Sequence, residues 1–289
     1  MLFPNAMKIK RRAFILALAS LLSAPAAELK LPLKPKSVRL AVIGDSGTGG
    51  KSQYEVAEEM MRCHRAFPFD FVIMVGDNIY GSHSPAAFKR KFEDPYRPLL
   101  DAGVKFYASL GNHDNPNERL YKPFNMEGKR FYSFKQGNAE FFALDSNYMD
   151  PQQLDWLKKQ LSGSKATWKI CYFHHPLYSH GRDHGPDVDL RKRLEPLFEE
   201  NGVEMVISGH EHSYERLKPQ NGIYYFVLGN SGQLRFHNLM PSPDTAKGFD
   251  TDRAFGLVEI AGDQLYFQIV SRTGETVDSG VLTAGKKKS

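Results

Sequence analysis

VRLAVIGDSGTGGKSQYEVAEEMMRCHRAFPFDFVIMVGD, residues 38–77, is the stretch whose reading decides the architecture. An apolar run closes in Gly-Asp, a polar stretch follows, and a second apolar run again closes in Gly-Asp. VRLAVIG reads as a buried strand, and SQYEVAEEMMRCHRAF as a helix whose apolar residues recur at helical spacing. FDFVIMVG is the second strand. Strand, helix and strand in this order predict a βαβ unit and a largely parallel sheet.

The alternation continues outward. A helical stretch containing Pro and Lys precedes VKFYASLG, and RFYSFKQGNAEFFALDS reads as a hairpin turning at Gly137-Asn138. Pro151 to Leu161 is an amphipathic helix, ATWKICYFHH a strand, and LRKRLEPLFEENG a helix with Gly202 as its C-cap. VEMVISGHEH follows. From YYFVLGN through AFGLVEIAGDQLYFQIVS the pattern alternates as antiparallel strands do. No internal repeat, low-complexity segment or linker interrupts the chain after residue 38, so one α/β domain with two sheets is expected.

The chain has 289 residues and a formal net charge of +5. Lys8, Lys10, Arg11 and Arg12 supply four of those charges, within a segment that reads as an export signal. In residues 1–27 a basic stretch (MKIKRR) precedes AFILALASLL and the small residues Ala24-Pro25-Ala26-Ala27. The apolar run is too short to span a bilayer, so no permanent membrane anchor is expected. Arg11-Arg12-Ala13-Phe14 also fits a twin-arginine export route. Without this segment the body is near neutral, and the basic tail at 283–289 carries Lys286, Lys287 and Lys288. No nucleic-acid surface is expected. Cys63 and Cys171 are the two cysteines; they are too few for a disulfide scaffold or a Cys-based metal site.

The chemistry lies at the strand ends. VRLAVIG delivers Asp45, and FVIMVG delivers Asp77 with Asn78 and Tyr80 just beyond. FYASLG ends in Asn112-His113-Asp114, ICYF in His174-His175, and MVISG in His210-Glu211-His212. In a mostly parallel sheet, five such ends lie along one edge, where α/β folds place their sites. Carboxylates and imidazoles beside apolar strands need a shared partner, and metal ions with O and N ligands supply it. Asp45, Asp77, Tyr80, Asn112, His174, His210 and His212 offer seven donors, too many for one ion with an open position. With Asp77 bridging, each of two ions has four protein ligands, a geometry suited to in-line attack on phosphorus. A phenol is a poor ligand for a weakly acidic divalent ion, so Tyr80 points to Fe(III) on the Asp45 side.

Taken together, GDSG, GDNIY, GNHD, FHH and GHEH resemble the five ordered motifs of the calcineurin-like metallophosphoesterases, and among them the purple (tartrate-resistant type) acid phosphatases. The motifs run from 44 to 212, and the surrounding strands extend the likeness over about 38–282, the expected domain. One departure stands out: many relatives carry His two residues after the first Asp, where this chain has Gly47. The resemblance implies a two-sheet β-sandwich flanked by helices (α/β/β/α). It implies that Asp45, Tyr80 and His212 hold Fe(III), that Asn112, His174 and His210 hold a divalent ion (Fe, Zn or Mn), and that Asp77 bridges. His113 would contact the phosphate or protonate the leaving oxygen. In HPLYSHGRDHG, residues 175–185, His180 and His184 resemble substrate-side histidines, with His184 favoured.

The expected function is an exported acid phosphatase that hydrolyses phosphomonoesters, small molecules or phosphoproteins, through a metal-bound hydroxide. Phosphodiesterase or nucleotidase activity is the alternative within the same fold. A phosphate-cradling loop is excluded, because Gly-x4-Gly-Lys-Ser/Thr needs Gly where Asp45 stands. A GDS-type esterase needs Asp-x-x-His, and no histidine here has Asp three residues before it. A metal- or phosphate-binding protein without turnover leaves His113 unexplained.

Overall fold

The computed structural model describes residues 28–285. Strand β1 (Val38–Ile43) passes into helix α1 (Lys51–Ala66), and the chain returns through β2 (Phe71–Val75). Helix α2 (Pro85–Phe88), a π-helical turn at Lys89–Glu93 and α3 (Asp94–Asp101) lead to β3 (Lys105–Ser109). The hairpin β4 (Tyr132–Gln136) and β5 (Ala139–Ala143) turns at Gly137-Asn138 as expected, and α4 (Pro151–Gly163) follows. Next come β6 (Trp168–Tyr172), α5 (Val188–Asn201), β7 (Met205–Ser208), β8 (Tyr214–Leu217) and β9 (Tyr224–Leu228). The chain then forms β10 (Thr245–Phe249), β11 (Ala254–Ala261), β12 (Gln264–Ser271) and β13 (Thr276–Thr283).

Local chemistry accounts for the helices. The buried stripe of α1 is Val56, Ala57, Met60 and Cys63, at helical spacing. Asp150 caps α4 by accepting from the Gln153 N–H, and Gly202 ends α5 at φ 65°, the left-handed cap its sequence predicts.

Two mixed sheets face each other. One runs β13-β12-β11-β1-β2-β3, the other β10-β8-β9-β7-β6-β5-β4. Strands β1, β2 and β3 are parallel, as are β5, β6, β7 and β9; the remaining pairings are antiparallel. The period of two along each strand sorts side chains between the layers. Phe141, Ile170, Tyr172, Met205 and Ile207 belong to the larger core, which also takes in β1, β2 and α1. Their neighbours Phe142, Cys171 and Val206 pack with α4 and α5 residues in a second core. The layers are α/β/β/α, the expected fold class.

Two readings of the sequence need correction. The five strand ends do not line the edge of one parallel sheet: β1, β2 and β3 belong to one sheet, β6 and β7 to the other. YYFVLGN (β9) pairs antiparallel with β8 but parallel with β7. Strands β8, β10 and β13 are short or exposed and carry no clean alternation, so sequence pattern alone passes over them.

The export segment at 1–27 and the last four residues of the basic tail lie outside the described residues. Among the described residues, no helix is long and apolar enough to cross a membrane.

Candidate metal centre

The carboxyl ends of β1, β2, β3, β6 and β7 converge where the two sheets meet. Asp45, Asp77 and His210 turn inward there with φ of 51°, 52° and 70°, in the left-handed region. A non-glycine residue held in that region costs about 1–3 kcal/mol and persists where the surroundings over-determine it. Here the surroundings are each other: His210 N–H donates to Asp45 Oδ2 at 2.9 Å, and His113 N–H to Asp77 Oδ1 at 2.9 Å.

The seven candidate donors fall into two groups. In the first, Tyr80 O–H donates to Asp45 Oδ1 at 3.1 Å and lies 3.2 Å from His212 Nε2, which is itself 3.3 Å from Asp45 Oδ1. In the second, His174 Nε2 lies 3.0 Å from Asn112 Oδ1 and 3.1 Å from His210 Nδ1. Asp77 touches both. Its Oδ1 is 3.4 Å from His174 Nε2, and it forms a cluster with Asp45 and His212 whose ligand atoms all lie within 4.8 Å.

The donor chemistry fits a cation. Asp45, Asp77 and His174 are buried. Burial first, and the neighbouring Asp77 second, push the Asp45 carboxyl well above the usual carboxylate range. Burial also depresses the imidazoles: His174 falls well below its ordinary value, His210 to about 2 and His212 to about 4. The rings are therefore neutral, each with a free lone pair. His174 Nδ1 lies 3.0 Å from the Val75 carbonyl oxygen, which only accepts, so Nδ1 carries the proton. The bare Nε2 lone pair then faces Asn112 Oδ1 and Asp77 Oδ1, oxygens that also only accept. Lone pairs at 3.0–3.4 Å repel unless a cation lies among them.

The two catalytic candidates stand at the open side. His113 is exposed and its ring lies 4.9 Å from that of Tyr80. His184 is exposed and stacks on His210, centroids 4.2 Å apart and planes 27° apart. His180 is placed elsewhere: its Nδ1 pairs with Glu215 Oε1 at 2.7 Å. Ser46 is buried, which suits no nucleophile, and Lys51 opens α1. A cleft of about 440 Å3 adjoins Asn112 and is lined in part by His175, Ser146 and Tyr148.

Gly47 has a packing reason. A Cβ there would sit 1.8 Å from the Asn78 carbonyl oxygen, because the two loops are laced together. Gly47 N–H donates to Asp77 O at 3.3 Å, and Tyr80 N–H donates to Gly47 O at 3.0 Å. The missing side chain thus lets the Tyr80 loop close onto the Asp45 loop.

Sequence reasoning missed several neighbours. Glu211, to which the sequence reading assigned no role, is fully buried and hydrogen-bonded to the His184 loop. Arg235 N–H donates to His212 O, and its guanidinium pairs with Asp183 at 2.7 Å. Ser146 Oγ lies 2.8 Å from His175 Nδ1. Their neighbours are all distant in the chain, so no local motif marks them.

Fold and site together define a metal-dependent phosphoester hydrolase. The chain matches the calcineurin-like phosphoesterase family over residues 38–214 and belongs to it. Within that family it is 28% identical to purple acid phosphatase 7 of Arabidopsis thaliana, over 88% of this chain and 90% of that protein. It is 26% identical to tartrate-resistant acid phosphatase type 5 of Mus musculus, over 83% of this chain and 89% of that one. Among solved structures, GAP50, the anchor in the inner membrane complex of Plasmodium, superposes with a TM-score of 0.77 at 24% identity. That match covers 87% of this chain and 90% of GAP50, and it speaks to the fold alone.

Proposed function

We propose that the chain is an exported acid phosphatase acting on phosphomonoesters, with domain limits at 38–282 and an export signal at 1–27. Asp45, Tyr80 and His212 hold Fe(III); Asn112, His174 and His210 hold divalent Fe, Zn or Mn; Asp77 lies between. The observation that carries this reading is the Tyr80 hydroxyl, 3.1 Å from Asp45 Oδ1 and 3.2 Å from His212 Nε2. When bound, the ion pair supplies Lewis acidity toward the phosphoryl group and activates water.

The remaining work falls to side chains. Neutral His174, His210 and His212 offer lone pairs, while Asp45 and Asp77, whose ionisation burial opposes, become favourable carboxylates when cations sit between them. His113, exposed above Tyr80, holds the proton that the leaving oxygen takes. His184, against His210, contacts the phosphate as a second substrate-side group. The cleft beside Asn112 receives the ester's organic group, from a small molecule or a phosphoprotein. The similarity to acid phosphatases over most of both chains supports monoesters over diesters or nucleotides.

The test pairs metal analysis with a panel of phosphomonoesters, phosphodiesters and nucleotides. Iron with a second metal, monoester preference and activity extending into mildly acid pH are expected. Protein purified with Fe(III) is purple, and Tyr80→Phe loses the visible band. Asp77→Asn with unchanged turnover would overturn the enzymatic reading in favour of a binding or anchoring role. Accumulation of the processed chain outside the cytoplasm checks export.

A further inference from the structure

Glu211 is fully buried between His210 and His212, and every group that reaches its carboxylate is a donor from a different loop. His184 N–H donates to Oε1 at 2.8 Å, Gly185 N–H donates to the same oxygen at 2.5 Å, and Asn238 Nδ2 donates to Oε2 at 2.9 Å. The loop leaves it no spare room: a Cβ at Gly181 would lie 2.1 Å from the Glu211 carboxyl carbon. The other end of this loop is tied separately. His180 N–H donates to Glu215 Oε2, Arg182 N–H to Asn238 O, and Gly181 bridges Leu239.

We propose that Glu211 is the positioning residue that fixes His184 against His210, joining the loop that carries two metal-binding histidines to the loop that carries a substrate-side one. The claim rests on the reading of His184 given above. A carboxylate suits the task because both oxygens accept. An amide of the same shape keeps one neutral oxygen for the two backbone N–H groups, loses the charge that strengthens those bonds, and sets its NH2 against the Asn238 NH2 unless that amide turns over.

The experiment is a double-mutant cycle on the metal-loaded enzyme, with Glu211→Gln, His184→Ala and the pair. A phosphomonoester is the substrate, and metal content, melting temperature and amide exchange at 184–185 are recorded. Glu211→Gln is expected to lower kcat/KM by about 10- to 100-fold, matching His184→Ala. The double variant loses no more than either single one, metal content stays at the wild-type level, and exchange at 184–185 quickens. Gly181→Ala, which crowds the carboxylate without altering it, reproduces the loss and decides the matter if Glu211→Gln does not fold. Additive losses, wild-type kinetics in Glu211→Gln, or activity that falls only in step with metal content would overturn the proposal. If His184→Ala is silent, the substrate-side reading of His184 fails, and if the wild type hydrolyses no phosphomonoester, the acid phosphatase reading fails. In either case unchanged exchange at 184–185 in Glu211→Gln still refutes the anchoring role.

Discussion

At the scale of single residues, the centre is a set of groups whose ordinary charge states are suppressed. The histidines are neutral because burial removes the water that would stabilise an imidazolium. His113 differs in being exposed. His113→Ala is expected to lower kcat by about 10²-fold for alkyl phosphates, and by less for p-nitrophenyl phosphate, whose leaving group needs no proton; steady-state kinetics on both check it. A different buried acid contributes to the pH dependence of stability. Burial, and Asp114 beside it, raise Glu118 from 4.5 to about 10, and its Oε2 has no hydrogen-bond partner. The folded chain therefore keeps a proton on Glu118 that the unfolded chain releases above about 4.5, so this group's stabilisation falls as pH rises toward 10. Glu118→Gln is expected to flatten the decline in melting temperature between pH 5 and about 9, as thermal unfolding across that range will register.

At the scale of elements, five of the parallel-paired strands, β1, β2, β3, β6 and β7, serve as stiff stalks that each end in a turn bearing candidate ligands. Strand identities were legible because runs such as FVIMV are apolar throughout, as strands buried on both faces must be. The turns were not: nothing local to Asp45, Asp77 or His210 announces a left-handed backbone, which long-range hydrogen bonds enforce. Gly47 was legible as a departure from the family pattern, but its reason was not, since Asn78 is the atom it must clear. Gly47→Ala is expected to push the Tyr80 loop away and destabilise the fold by about 1–3 kcal/mol. Denaturant unfolding, together with weakening of the visible band in iron-loaded protein, measures both effects.

At the scale of the whole molecule, two sheets must close on each other before the candidate site exists, because neither carries all seven candidate donors. Sheet pairing also separates the cysteines. Cys63 lies in the larger core and Cys171 in the core under α4 and α5, and both are free. Burial pushes the Cys63 thiol up to about 12 and raises Cys171 further. At pH 8 neither is a thiolate, so the folded protein is expected to resist iodoacetamide and to take up two equivalents only after unfolding, as intact mass will show.

The sequence by itself determined the strand–helix order, the donor types at five strand ends and the family they resemble, since these depend on local hydrophobicity and on residues adjacent in the chain. The tertiary structure decided how the donors divide between two sheets, and it placed His184 rather than His180 beside the cluster. It also gave Glu211, to which the sequence assigned no role, its partners in the His184 loop. Those outcomes depend on contacts between segments remote in sequence, where a hydrogen-bond partner is chosen by packing and burial rather than by any neighbour the chain itself supplies.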